Sequence, residues 1–200
     1  FAQVTNPPID AIREEVVTST ITTLGREGNL LEETPQSCRQ IRLETPILSI
    51  DELERIRSVH EKLPEHKSVT LSILFEVQKQ GEGIKIALNN LFSRADEAIK
   101  NNASIIILSD RGINSTYAAI PALLAVSALH HNLVKNGTRT KVGLVVESGE
   151  PREVHHMATL IGYGAGAVCP YLAYESIHSA IETNLFGTSH KSKESIKDYT

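Results

Sequence analysis

KVGLVVESGEPREVHHMATLIGYGAGAVCPYLAYE, residues 141–175, is the stretch on which the fold turns. Val142, Leu144, Val145 and Val146 form a short run rich in β-branched residues, the signature of a strand covered on both faces in a parallel sheet. The chain then becomes polar at Glu147-Ser148-Gly149-Glu150. Pro151 suits a first helical position, where its missing N–H leaves no donor unsatisfied, and Glu150 and Glu153 oppose the positive end of a helix dipole. The spacing predicts a helix from Pro151 with Val154, Met157, Ala158 and Ile161 at i, i+3, i+4 and i+7 facing the sheet. Gly162 and Gly164 end it, and Ala165 to Leu172 begins as a second strand. The whole is one βαβ unit, with its two loops at opposite ends of the sheet.

The same alternation extends toward the N-terminus. A strand is expected over SVTLSILFEV (68–77), a helix from about Glu82 to Asn101 with Ile84, Leu88, Leu91, Phe92, Ala95 and Ile99 on one face, and a strand over ASIIILSD (103–110). A further helix, from about Pro121 to Lys135, is apolar nearly all round, which predicts deep burial. Strand starts near residues 69, 104, 141 and 166, each separated by a helix, give an α/β fold of successive βα units with a mainly parallel sheet. This resembles part of a TIM (β/α)8 barrel, with a small doubly wound sheet as the other topology the pattern allows.

The first 67 residues follow a different pattern. Asn6-Pro7-Pro8 excludes helix, Asp10 caps a helix carrying Ile12, Val16, Val17, Ile21 and Leu24, and Gly25 stops it. Residues 25–48 read as a long irregular connection with a short strand at Gln40 to Leu43, of the kind that packs on a partner or on missing domains. Ser49-Ile50-Asp51-Glu52 is a capping box opening a helix to about Val59. The division expected is an N-terminal arm with helices over 1–67, a βα core over 68–187 and a polar C-terminal stretch over 188–200 that reads as truncated. The start at Phe1 suggests a piece of something longer.

The 200 residues carry a net charge of −4 with both signs interspersed, which disfavours nucleic acid and anionic membrane surfaces as partners. No apolar run spans a membrane and no signal peptide is visible, so a cytoplasmic location is expected. Cys38 and Cys169 are the only cysteines, too few for a disulfide scaffold.

Ligands gather at the carboxyl ends of parallel strands, so Asp110, Arg111, Glu147, Arg152 and Pro170-Tyr171 are the polar residues to examine. They form either an ion-pair layer or a polar substrate site. His155 and His156 point about 100° apart on a helix, and neither they nor His130 and His131 have the spacing of a metal helix. Gly162, Gly164 and Gly166 lead from helix into strand, the reverse of a phosphate loop, and predict a tight turn. No motif marks a nucleophile.

FAQVTNPPIDAIREE, LGREGNLLEE, ILSDRG and VVESGEPREVHHMATLIGYGAGAVCPYLAYE, with the spacing between them, resemble the central domain of the large subunit of glutamate synthase over about Phe1 to Leu185. The chain departs from that pattern at Pro151, Gly166 and Val168-Cys169, as packing variation. The resemblance implies a parent enzyme, an oxidoreductase acting on CH–NH2 groups, that makes glutamate from glutamine and 2-oxoglutarate. In such an enzyme an amidotransferase domain releases ammonia, which passes through a tunnel to a synthase domain containing FMN and an iron–sulfur cluster. Electrons come from NAD(P)H through a partner subunit, or from ferredoxin. The resemblance makes this chain the connector between the two centres, lining part of the tunnel, inactive in isolation and without catalytic, cofactor-binding or metal residues of its own. Thr5 and Asn6 are the tunnel-lining candidates, because ammonia passage suits small neutral hydrogen-bonding groups. The competing reading is a stand-alone βα module that binds FMN or a phosphorylated metabolite at its strand ends.

Overall fold

The computed structural model describes residue 12 and residues 19–29, 31–32, 34–185 and 192–199. Its centre is a four-stranded sheet of β3 (Ser68–Ser72), β5 (Ile105–Ser109), β7 (Gly143–Glu147) and β8 (Ala167–Cys169), all parallel and adjacent in chain order. This bears out the α/β class and the βα units. Adjacent order belongs to a barrel-like winding and not to a doubly wound sheet, whose order reverses at a switch point. No closure into a barrel occurs among the described residues.

Strand residues alternate between two apolar layers. Ile106, Leu108, Leu144, Val146 and Val168 face a cluster with α2 (Gln80–Lys100), α3 (Ala122–Lys135) and α4 (Val154–Gly162). Ile105, Ile107, Val145, Ala167 and Cys169 face the other way. They pack against β1 (Thr22–Leu24), α1 (Ile50–Arg57), α5 (Tyr171–Glu182) and α6 (Ser192–Tyr199). The face that a barrel would turn inward is thus filled by the chain's own N- and C-terminal segments. After β3 the chain leaves the sheet as β4 (Leu74–Glu76), which forms an antiparallel ribbon with β6 (Tyr117–Ala119) from the connection between β5 and β7.

Several expectations change. Most of the helix expected after Asp10 lies outside the described residues, and its last turn is strand β1, antiparallel to β2 (Ile41–Leu43). The β-branched Thr22 and Thr23 favour that outcome. Gly143 gives it room, since a Cβ there would meet the backbone N of Gly25 at 2.9 Å, and a Cβ at Gly166 would press on the Leu24 side chain. The segment expected to lie on missing domains lies on this sheet: Ile47 bridges Val168, and Leu48 is buried. The capping box of α1 forms, with Ser49 N donating to Glu52 Oε2 at 2.8 Å and Glu52 N to Ser49 Oγ at 3.3 Å. β8 ends before Pro170 and Tyr171 starts a helix, where a longer strand was expected. α3 buries only one face: Leu123, Leu124 and Val134 are exposed.

Candidate functional site at the strand ends

β5 and β7 end side by side, Ser109 opposite Glu147, and deliver Asp110, Arg111 and Glu147 to one edge. Glu147 is the centre. Its side chain is 2% exposed and receives Arg57 Nη2 at 2.5 Å and Arg111 Nε at 2.7 Å, one on each carboxylate oxygen. Burial pushes its carboxyl up, but the Ser109 hydroxyl, Arg111 and Arg57 together outweigh burial and hold it below the usual carboxylate range. Burial also opposes the charge on Arg57 and Arg111, and Glu147 outweighs it there too, so both stay above the ordinary arginine value. Arg57 further donates to Thr70 Oγ1 at 2.9 Å. Arg111 lies 3.8 Å from the Tyr171 ring centroid and 3.4 Å from Glu175 Oε1.

Asp110, 2% exposed, does not enter that ion pair. Its Oδ2 accepts from Ser148 Oγ at 2.7 Å and from Gly149 N at 2.9 Å, which folds the loop after β7 back over β5. Its Oδ1 makes no hydrogen bond. Tyr171 lies close enough that burial first, and then Asp110, push its phenol up, although the pair does not reach hydrogen-bond geometry. Arg152 is held apart from the acids: its Nε donates to Gly149 O at 3.2 Å, and its own carbonyl accepts from Tyr199 Oη at 2.7 Å. Glu150 Oε2 accepts from Ala122 N at 3.0 Å and so caps α3.

These bonds displace the helix start. Pro151 and Arg152 belong to the loop, Glu153 takes the N-cap position with extended angles, and α4 begins at Val154. Arg57 and Glu175 are the network members that sequence reasoning missed. Arg57 stands 90 positions from Glu147 on a helix with no motif pointing at the sheet. Thr5 and Asn6 lie outside the described residues.

The glycine loop is at the opposite end of the sheet. Gly164 adopts φ +114 against His130, and its carbonyl accepts from Arg139 Nη2 at 2.9 Å. Arg139 also donates to Val142 O at 2.7 Å and to His130 Nδ1 at 3.0 Å. Burial first, then the Arg139 charge, lower the His130 pKa, which keeps that nitrogen an acceptor. His156 Nδ1 accepts from Arg152 N at 3.1 Å.

The chemistry open to this set is narrow. Burial first, then Glu147, push the Cys169 thiol up to about 12, so it carries no thiolate near neutrality. Two cysteines, one exposed and one buried, do not fit an iron–sulfur cluster that takes four thiolates. Among the described residues no group of three His, Cys, Asp or Glu side chains is placed to hold a metal. An FMN phosphate is fitted by free backbone N–H groups or an unpaired cation. Here Gly149 N is committed to Asp110, and Arg111 to Glu147 and Glu175. Around Asp110 and Glu147 the donors are thus taken, and of the strand-end cations only Arg152, on Gly149 O, has no acid partner among the described residues.

The family model described as glutamate synthase central domain matches residues 1–200. The chain is similar to the glutamate synthase (NADPH) large chain of Bacillus subtilis, at 46% identity over all of this chain and 12% of that protein. It is similar to the NADH glutamate synthase of Schizosaccharomyces pombe, at 42% identity over all of this chain and 9% of that protein. It is also similar to the chloroplastic ferredoxin-dependent glutamate synthase of Spinacia oleracea, at 44% identity over 88% of this chain and 11% of that protein. The chain therefore spans about a tenth of the length of these relatives. Among the described residues no helix is long and apolar enough to cross a membrane.

Proposed function

We infer that this chain, which belongs to the glutamate synthase central-domain family, is the connecting domain of a longer polypeptide that forms glutamate from glutamine and 2-oxoglutarate. In this reading the amidotransferase centre and the FMN and iron–sulfur centre lie in other parts of that polypeptide. Electrons reach it from a nicotinamide cofactor through a partner subunit or from ferredoxin. The relatives' names include NADPH-, NADH- and ferredoxin-dependent enzymes, and nothing in this chain selects one. The domain holds the two centres apart at fixed geometry. Thr5 and Asn6 are proposed to line the ammonia path between them.

The observation that carries this reading is the closure of the strand ends. Where a βα protein ordinarily receives a ligand, this chain places Glu147 between Arg57 and Arg111 and fills the adjoining face with its own segments. Such an arrangement supports a scaffold. Calorimetric titration with FMN, followed by the visible spectrum of the dialysed protein, tests it. No saturable heat and no retained flavin absorption are expected, whereas one-to-one binding at micromolar concentration would establish the stand-alone ligand-binding module instead.

A further inference from the structure

The outer helical layer stops one helix short. α2, α3 and α4 connect β3 to β5, β5 to β7 and β7 to β8, and lie on one face of the sheet, with α3 touching both of its neighbours. The helix that follows β8, α5, packs on the opposite face. The flank of α4 turned away from α3 is therefore the place where a continuing βα run would seat its next helix, and among the described helices only the end of α6 comes near it, through Tyr199.

That flank is apolar at helical spacing. His155, Thr159 and Leu160 line the cleft that α4 shares with Leu123 of α3, and Met157 and Leu160 are buried toward the sheet. These contacts fix the rotation of α4 and leave Val154, Ala158 and Ile161, at i, i+4 and i+7, on the side away from α3. Val154 is 84% exposed, Ala158 is exposed and Ile161 is half-buried. α6 comes near through Tyr199, which donates to Arg152 O, but leaves Val154 uncovered. Single exposed apolar side chains are ordinary. Exposed Val154 and Ala158, with the open side of Ile161, which otherwise packs on the core, lie on the end helix of a layer whose other helices pack pairwise and make a docking ridge. Ala158 at its centre allows a second helix to approach to an interaxial distance of about 8–10 Å.

We propose that this flank of α4 seats an amphipathic helix from a part of the polypeptide outside residues 1–200. The occupant follows from the lengths of the relatives, of which this chain covers only 9–12%, and from the uncharged character of the ridge. The proposal rests on the connecting-domain reading, because it takes the rest of the polypeptide as the neighbour.

The test uses the full-length enzyme. Val154 is replaced by the photo-crosslinking residue p-benzoylphenylalanine, the protein is irradiated, and the linked peptides are identified by mass spectrometry. The expected adduct joins position 154 to a peptide of the same polypeptide outside residues 1–200, with apolar residues three and four apart. An adduct within residues 1–200, an adduct to a second copy or a separate subunit, or no peptide adduct overturns the proposal. A rate measurement accompanies it: in the native enzyme Ala158→Cys should react with a water-soluble maleimide about tenfold more slowly than the same variant unfolded in urea. Equal rates overturn the proposal. Both readouts report coverage alone, while flavin titration reports the connecting-domain reading, so the two fail separately.

Discussion

Glu147 is the residue on which the strand ends depend, and its worth follows from its partners. Breaking a fully buried ion pair costs about 3–5 kcal/mol. Arg111 is 42% exposed, so its share is screened. Glu147→Gln is therefore expected to lose about 2–3 kcal/mol at pH 7, read by urea denaturation. The pH dependence has a definite sign. Because the folded carboxyl titrates below its unfolded value of about 4.3, its contribution is complete above that pH and disappears as pH falls through the folded value. The stability gap between native protein and variant should narrow on acidification below pH ~4; an equal gap at both ends of the titration would contradict the ion-pair assignment. Gly164 is the second decisive residue. Its φ of +114 and the clash that an added Cβ would make with His130 Nδ1 predict that Gly164→Ala lowers stability. The expected loss is about 2–3 kcal/mol, measured by thermal unfolding.

Elements differ in how much of their shape is local. α1 is set by its own sequence: the Ser49–Glu52 capping box forms as read, and Ser49→Ala should cost about 1 kcal/mol in urea unfolding, with no change in the fold. α4 is set by its surroundings. Pro151 satisfies every local rule for opening a helix, yet Asp110 holds the preceding Ser148 and Gly149, and Arg152 binds back to Gly149 O. The helix can begin only after those bonds are made. In the helix that results Met157 and Leu160 are buried, while Val154 and Ala158 turn outward. The apolar stripe read from the sequence is real, but half of it belongs to a different surface. α3 makes the same point, since its all-round apolar character predicted burial that this chain alone provides on one face only.

At the scale of the molecule, the N-terminal segment is part of the sheet's second core. Leu24, Leu48, Leu53, Ile56 and Val59 share a cluster with Ile105, Ile107 and Val145, and Tyr174 Oη donates to Leu48 O at 3.0 Å. Leu53→Ala should cost about 2–5 kcal/mol and lower the midpoint of one cooperative transition. An early separate loss of the N-terminal segment in far-UV circular dichroism would show that it folds independently of the sheet. The sequence by itself determined the four parallel strands and the helices between them, because apolar periodicity and end signals are local. It also determined the family, through stretches such as ESGEPREVHH that are legible as strings of residues. Only the tertiary structure decided that Thr22–Leu24 is strand, that Arg57 completes the Glu147 pair from 90 positions away, and that α5 crosses to the far face. Each of these rests on contacts between residues distant in sequence, where burial and charge pairing outweigh the propensity of the segment itself.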